Sequence, residues 1–179
     1  MNRAPDSMSL LARSEIMRLV RTGKLKIEPF SEKQVGAGSI DLHLGNEFRV
    51  FKRASGVFQV TDDSNYDKIT ETVRVEDGGQ FLMKPGQLVN GITIEKVTLP
   101  RNVAGFIEGR SSLARIGLLT HLSSGFVHPG TSNRTVLEIA NISPIPLKIA
   151  PGTKICQLVL LTVKGSGSYK GRFANQSMP

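Results

Sequence analysis

The sequence predicts a mainly β fold, a barrel or a sandwich, preceded by one N-terminal helix. Three observations predict this class. Apolar residues recur at helical spacing only near the start, between Leu10 and Thr22. Beyond Gly23 the apolar period changes to two, which is typical of half-buried strands. The runs of period two are short, and turn signals containing Gly or Pro separate them.

The elements follow in order. One apolar face predicts the helix, and Gly23 supplies its C-terminal stop. The face consists of Ala12, Ile16, Leu19 and Val20. Strands are predicted at Ser39–Leu44, Glu47–Lys52, Phe81–Met83, Leu88–Ile94, Asn102–Ile107, Thr135–Ile142 and Lys154–Val163. The turn signals are Gly45-Asn46, Asp77-Gly78-Gly79, Lys84-Pro85-Gly86, Pro129-Gly130 and Pro151-Gly152.

The chain of 179 residues is long enough for one domain with its own core. We expect a flexible N-terminal arm over residues 1–9, which lack the apolar stretch of a secretory signal. The β domain with its helix spans 10–164. The tail, residues 165–179, begins rich in Gly and Ser and is basic. It is either a disordered terminus or a segment that closes over an anionic ligand.

The composition favours a small phosphorylated ligand over nucleic acid. The net charge is +8, but the basic residues are scattered, aromatics are 6% and there is no Trp. No run approaches the ~20 apolar residues of a membrane helix, so no membrane partner is expected. The single cysteine, Cys156, fits a reducing cytoplasm, and its alternating surroundings favour a buried structural thiol over a nucleophile.

A dense group of arginines and hydroxyls lies between two strand-like runs. Arg110, Ser111, Ser112 and Arg115 fall within eleven residues, Glu108 to Leu118. Arg forks bind phosphate oxygens in pairs, and Ser hydroxyls fill the remaining positions. The segment therefore predicts a polyanion site, or else a solvated loop whose arginines pair with surface carboxylates.

Glu138 lies among apolar neighbours in a predicted strand. Its face carries Val136, Ala140 and Ile142, whereas the opposite face, with Thr135 and Asn141, is expected to be the wetter one. Desolvation would raise the pKa of this carboxyl and suit it to proton transfer near neutral pH. The alternative is an ion pair with a nearby arginine, Arg134 among them.

Several chemistries find no support in the sequence. A zinc-dependent nucleobase deaminase needs a Pro-Cys-x-x-Cys pair, which one cysteine cannot supply. His43, His121 and His128 lack metal-ligand spacing with carboxylates and are expected to be structural. There is no Walker loop or Gly-x-Gly-x-x-Gly motif. Any hydrolysis is expected to use water and a carboxylate, without zinc or another protein-bound metal.

Several segments, in order, resemble the dCTP deaminase branch of the dUTPase-like superfamily. The resemblance runs from Leu10 to Gln176, and its most specific part is Gly-Arg-Ser-Ser-Leu-Ala-Arg, residues 109–115. The other segments are Gly23–Phe30, Ser39–Gly45, Thr120–Gly130 with Val136–Ile139, and Pro151–Leu158. The resemblance implies a dUTPase-like β-barrel or β-clip subunit with an N-terminal helix, assembled as a homotrimer with active sites between subunits.

The resemblance also implies an activity: hydrolytic deamination of dCTP to dUTP and ammonia, with Mg²⁺ carried by the triphosphate. Glu138 would activate water, supported by Ser111 and Arg115. Phosphates would be held by Arg110 and Ser112. The backbone of Ser124 would contact the pyrimidine edge, and the tail residues Arg172 and Gln176 would close over the triphosphate. Binding of dTTP or dUTP is a further expectation.

Two positions bear on the product. At position 126 the aromatic residue Phe126 is similar to what is found in family members that also hydrolyse dUTP to dUMP and pyrophosphate. His128-Pro129-Gly130 departs from the usual Asp-Pro-Gly or Asp-Ala-Gly, whose aspartate helps to hold the deoxyribose, and Thr131 and Asn133 alter the loop after it. A deaminase that stops at dUTP is therefore the first expectation and a bifunctional enzyme the second. A dNTP-binding regulatory protein without chemistry is the third.

Overall fold

The computed structural model describes residues 9–53, 56–171, 173–174 and 176–179. Within them lie the helices α1 (Arg13–Arg21) and α2 (Ser111–Ala114). The strands are β1 (Lys26–Glu28), β2 (Ser39–Phe51), β3 (Thr70–Arg74), β4 (Phe81–Met83), β5 (Leu88–Thr98), β6 (Val103–Gly109), β7 (Leu118–Thr120), β8 (Phe126–Val127), β9 (Ser132–Asn141), β10 (Leu147–Ile149) and β11 (Lys154–Thr162). The described chain is mainly β, as the sequence predicts.

A curled antiparallel sheet dominates the fold. Its central path runs β7-β9-β5-β2-β11-β6-β8, with β1 pairing β5 and β3 pairing β2. β4 and β10 form a separate two-stranded pair. The stacked rings of Phe48 in β2 and Phe81 in β4, with centroids 4.2 Å apart, join the pair to the large sheet. Phe48 is fully buried, which stabilises the fold by about 1.5–3 kcal/mol.

Helix α1 packs one apolar side on the sheet, where Ile16, Met17 and Leu19 are buried. It begins later than predicted because the preceding residues pair with β11: Leu11 N–H donates to the Leu160 carbonyl at 2.8 Å. Gly23, with a φ of 68°, ends the helix as expected. Among the described residues, no helix has the length and apolar composition of a membrane span.

The turn predicted at Gly45-Asn46 is wrong, because β2 continues through it. The register against β5 shifts between Leu44 and Phe48, so the strand carries a bulge at this point. A Cβ at Gly45 would lie 3.0 Å from the Ile92 carbonyl oxygen. The glycine therefore permits close approach between strands and does not make a chain reversal.

Candidate active site

A pocket of about 350 Å³ opens between strand β9, the β7–β8 connection and the tail. Its lining residues are Tyr66, Asn90, His121, Ser124, Phe126, Val127, His128, Thr131, Asn133, Thr135, Val136, Glu138, Tyr169, Phe173 and Gln176. The lining mixes aromatic rings with hydroxyls, amides and one carboxylate. This composition suits a small polar ligand that also offers a flat face.

Glu138 lies on the pocket face of β9, opposite Asn90 of β5. The other face, with Leu137, Ile139 and Asn141, is buried in the interior. The predicted assignment of the wetter face is therefore wrong: the side that carries Glu138 is the solvated one. Asn141 is polar but does not mark a wet face, because its amide is buried and donates to the carbonyls of Met83 and Ile145.

His121 faces Glu138 because strand β7 pairs with β9. Thr120 lies opposite Ile139 in this antiparallel pair, so the residue after Thr120, His121, comes next to the residue before Ile139, Glu138. The backbone N–H of His121 donates to the Glu138 carbonyl at 2.7 Å. His121 has a φ of 60°, a left-handed conformation in which His is enriched. Its Nε2 lies 2.8 Å from the Ser124 carbonyl oxygen, and the side chain is only 5% exposed.

The side chains of His121 and Glu138 form a close polar contact. Nδ1 of His121 lies 3.2 Å from Oε2 of Glu138. The alignment is poor, and neither buried atom has a hydrogen-bond partner among the described residues. Buried polar atoms without partners are costly, and they commonly mark a place that a water or ligand completes.

The pair shifts both pKa values. The contact with His121 lowers the pKa of Glu138, and burial offsets only part of this effect. Burial is the largest influence on His121 and acts to lower its pKa. The Glu138 contact, the Ser124 carbonyl and the charge of Glu108 together outweigh it and raise that pKa. The predicted upward shift for Glu138 is therefore wrong.

Arg134, the partner expected in the alternative interpretation, points elsewhere. Its guanidinium donates from Nε to the Thr93 carbonyl at 2.6 Å and from NH1 to the Ser177 carbonyl at 3.3 Å. Among the described residues Glu138 is not paired with an arginine, and the basic group beside its carboxylate is the His121 imidazole.

Three stacked or edge-packed rings form one side of the pocket. His128 stacks on Tyr169 with centroids 5.0 Å apart and planes 6° from parallel. The Phe126 and His128 rings also pack edge to face, with centroids 4.7 Å apart. Such pairs contribute about 0.5–1.5 kcal/mol beyond their buried area. They fix the imidazole of His128 at the pocket wall.

The tail is held against the pocket by backbone contacts as well. Tyr169 N–H donates to the Pro129 carbonyl at 3.1 Å, and the Asn133 amide donates to the Phe173 carbonyl at 2.9 Å. At Gly130, with a φ of 72°, an added Cβ would lie 3.1 Å from Ser168 Cα. The described part of the tail thus lies directly on the turn that follows β8, whereas its closing over a ligand stays a prediction.

The arginine- and serine-rich segment lies outside this pocket. Arg110 precedes α2, its Nε lies 3.7 Å from Asp41 Oδ1, and its NH1 donates to the Lys154 carbonyl at 3.2 Å. Lys154 Nζ lies 3.0 Å from Asp41 Oδ2. Ser111, Ser112 and Arg115 are exposed on α2 and its C-terminal end. The segment is an exposed cationic surface anchored by one carboxylate.

The predicted site residues therefore divide into two groups. The pocket brings together Glu138, Ser124, Phe126, His128 and Gln176. The second group lies on and beside α2 and does not line the pocket: Arg110, Ser111, Ser112 and Arg115. Arg172 lies outside the described residues. The sequence interpretation missed the pocket roles of His121 and Tyr169, although pairing Leu118–Thr120 with β9 would have placed His121 beside Glu138.

Metal-binding groups are sparse in the described ranges. They contain no group of three or more His, Cys, Asp or Glu side chains that could hold a metal ion. Cys156 is buried in β11, and burial raises the pKa of its thiol, so it is not poised as a nucleophile.

Solved structures share this fold at low sequence identity. The 2′-deoxycytidine 5′-triphosphate deaminase from Agrobacterium tumefaciens superposes with a TM-score of 0.66 at 23% identity. The match covers 88% of this chain and 49% of that one, so this chain spans about half of its length. The phage 80alpha dUTPase gives 0.51 at 12% identity, covering 84% and 90% of the two chains. The fold is thus dUTPase-like.

Sequence relatives define the family. The sequence model described as dCTP deaminase-like matches residues 10–163, and the chain belongs to that family. A Corynebacterium glutamicum protein named "dCTP deaminase, dUMP-forming" is 38% identical over 177 residues, covering 95% of this chain and 93% of its own. A Mycobacterium avium protein of the same name is 40% identical over 160 residues, covering 89% and 84%.

Proposed function

We propose that this protein is a dCTP deaminase that carries its product on to dUMP. The observation that carries the proposal is the Glu138–His121 pair, which presents an ionised carboxylate at the wall of the pocket. Relatives of nearly the same length that are named dUMP-forming support the two-step reaction. They favour it over the enzyme that stops at dUTP, which the sequence interpretation put first.

In the first step Glu138 acts as a general base. It takes a proton from water, and the water oxygen attacks C4 of the cytosine ring. Glu138 passes that proton to ring N3 as the new C4–O bond forms, and the remaining hydroxyl proton is then moved to the amino group. The C4–N bond breaks, ammonia leaves and C4 becomes a carbonyl. A carboxylate with a lowered pKa is already ionised near neutral pH, so no proton need be removed before the reaction.

In the second step a water attacks the α-phosphate of dUTP and releases pyrophosphate. His128 is the pocket imidazole that does not contact Glu138, and a neutral imidazole can accept the proton of that water. Phe126 packs against it and holds its orientation. The substrate is expected as its magnesium complex, with the ion held by the triphosphate.

The phosphates need strong cationic ligands, and the described lining residues of the pocket of a single chain include no lysine or arginine. Arg110, Ser112, Ser111 and Arg115 are the groups suited to them. They lie on another part of the surface, where Arg110 is partly buried and the other three are exposed. We therefore propose that α2 of another copy completes the pocket within a homotrimer. Gln176 of the tail lines the pocket, where it would contact the triphosphate.

The proposed function is tested by incubating the protein with dCTP and Mg²⁺ and resolving ammonia, dUTP, dUMP and pyrophosphate together. We expect ammonia, dUMP and pyrophosphate in equal amounts. Ammonia with dUTP alone would contradict the second step. Binding of dCTP without any product would contradict both steps and favour a regulatory dNTP-binding protein.

Substitution of the base tests the first step directly. Glu138→Gln keeps the shape of the side chain but cannot accept the proton, so we expect deamination to fall by about 10²–10⁴-fold. The variant should fold normally, as judged by circular dichroism and thermal unfolding. Glu71→Gln, at an exposed residue of strand β3, is the matched control and should retain wild-type turnover.

A further inference from the structure

We propose that His121 is a positioning residue that, as an imidazolium, holds the Glu138 carboxylate in place and ionised for proton transfer. The inference rests on the proposed function and deepens it. Neither the family resemblance nor the names of the relatives assign a role to this histidine. The proposal rests on three features of His121: its position beside Glu138, its protonated Nε2 and its Nδ1, which has no hydrogen-bond partner among the described residues.

The orientation of the ring is set by two contacts. The backbone N–H of His121 donates to the carbonyl of Glu138, and Nε2 lies 2.8 Å from the Ser124 carbonyl oxygen. A carbonyl oxygen can only accept, so Nε2 must carry the proton. Nδ1 then has either a lone pair, in the neutral ring, or a second proton, in the cation.

The neighbouring carboxylate decides between these two states. Nδ1 lies 3.2 Å from Oε2 of Glu138, and both atoms are buried. A lone pair directed at a carboxylate oxygen is repulsive, whereas an N–H between them is attractive. The cation is therefore the stable state, and it stabilises the negative charge of Glu138, which burial alone would suppress.

His121 has the largest effect on the pKa of Glu138 among the groups around it. The charge of Glu108, on β6, adds to the stabilisation of the imidazolium. The other titratable groups of the pocket are Tyr66 from the 3₁₀ turn, His128 from the turn after β8 and Tyr169 from the tail. All three are present in every variant compared below.

The variant His121→Asn tests the role with little strain, because Asn tolerates the left-handed backbone at this position. Without the cation, burial is unopposed and the pKa of Glu138 rises. We expect the acid limb of the pH profile of deamination kcat to move to higher pH. For each pH unit by which the acid limb moves, kcat at a pH below the limb's midpoint should fall about tenfold. The KM for dCTP should change little.

His43→Gln is the matched control. His43 also contacts a glutamate, Glu95, with Nδ1 2.5 Å from Oε1, but neither residue lines the pocket. This control should lower the melting temperature and leave the acid limb in place. An unchanged acid limb in His121→Asn would overturn the proposal, as would an equal movement in both variants.

A second measurement does not depend on turnover. Imidazole ¹⁵N NMR should show both nitrogens of His121 protonated at pH 6–7 in the wild type, and Glu138→Gln should lower the His121 pKa. A neutral Nε2–H ring in the wild type at that pH would overturn the proposal. If the protein proves not to deaminate dCTP, this spectrum still decides the state of the pair, so the two failures are distinguishable.

Discussion

At the residue scale, Glu138 and His121 form one half-buried contact, for which we propose opposite charges. Because the pKa of Glu138 is lowered, its stabilisation is present above the ordinary value of 4.5 and is lost as pH falls through the lowered pKa. Because the pKa of His121 is raised, its stabilisation is present below 6.5 and is lost as pH rises through the raised pKa. The stabilisation that the two side chains give each other is therefore greatest between pH 4.5 and pH 6.5, the ordinary pKa values of the two groups.

A double-mutant cycle with Glu138→Gln, His121→Asn and the double variant measures this coupling. We expect about 1 kcal/mol in urea unfolding near pH 5.5, after allowance for solvent screening. The coupling should decrease in strongly acidic and in alkaline buffer. A coupling that is constant across this range would mean that packing, and not charge, joins the two side chains.

At the element scale, the tail contributes one side of the pocket and is fastened by the ring of Tyr169. Tyr169→Ala removes the stack on His128 while leaving the backbone contact to Pro129 available. We expect trypsin to cleave at the exposed Lys170 several-fold faster, since the lost stack is worth about 1 kcal/mol. The KM for dCTP should rise as well.

Phe58→Ala is the control for the loss of an aromatic ring, because Phe58 is 37% exposed and does not line the pocket. It should leave both the cleavage rate and KM unchanged. Equal cleavage of the Tyr169 variant and the wild type would show that the backbone contacts alone retain the tail.

The elements were predictable from the sequence to different extents. The long strands carry a clear period of two, and β4 and β11 begin at the predicted residues. Strands β7 and β8, of three and two residues, are too short to show a period and form because longer neighbours pair with them. Strand β4 is equally short, and the turn signals on both sides of it made it predictable. The continuity of β2 was missed because a glycine that permits close packing resembles one that makes a turn.

The candidate site could also be predicted only in part from the sequence. The residue types around Glu138 and Arg110 were sufficient to indicate proton transfer and anion binding. The partner of Glu138 was not predictable, because His121 is 17 positions away and the short strand β7 brings it into contact. The pKa direction was wrong for the same reason: desolvation was visible in the sequence pattern, but the compensating cation was not.

At the scale of the whole molecule, an apolar patch lies beside α2. Ile116, Ile142 and Ile145, which we call the isoleucine patch, are 53%, 65% and 59% exposed. Ile142 N–H donates to the Gly117 carbonyl at 2.9 Å, which places the patch next to the cationic segment. Grouped exposed isoleucines are typical of a surface that another protein covers.

Ile142→Asp tests whether this surface joins copies of the chain. A buried charge would be strongly unfavourable there. We expect sedimentation to show a trimer for the wild type and smaller species for the variant, with deamination falling in parallel. Val57→Asp, at a fully exposed residue, is the control and should leave the assembly intact. A monomeric wild type that deaminates dCTP would contradict the shared site.

The docking of the tail on the chain's own pocket has a kinetic consequence. In the proposed two-step reaction the tail would lift before a nucleotide leaves, so the uracil intermediate would have two competing fates: escape through the opened wall, or hydrolysis in place. The proportion of dUTP to dUMP in the medium is then a branching ratio between the opening rate of the tail and the rate of the second cleavage. A weakened Tyr169 stack should therefore increase leakage of dUTP even when both chemical steps proceed at their original rates.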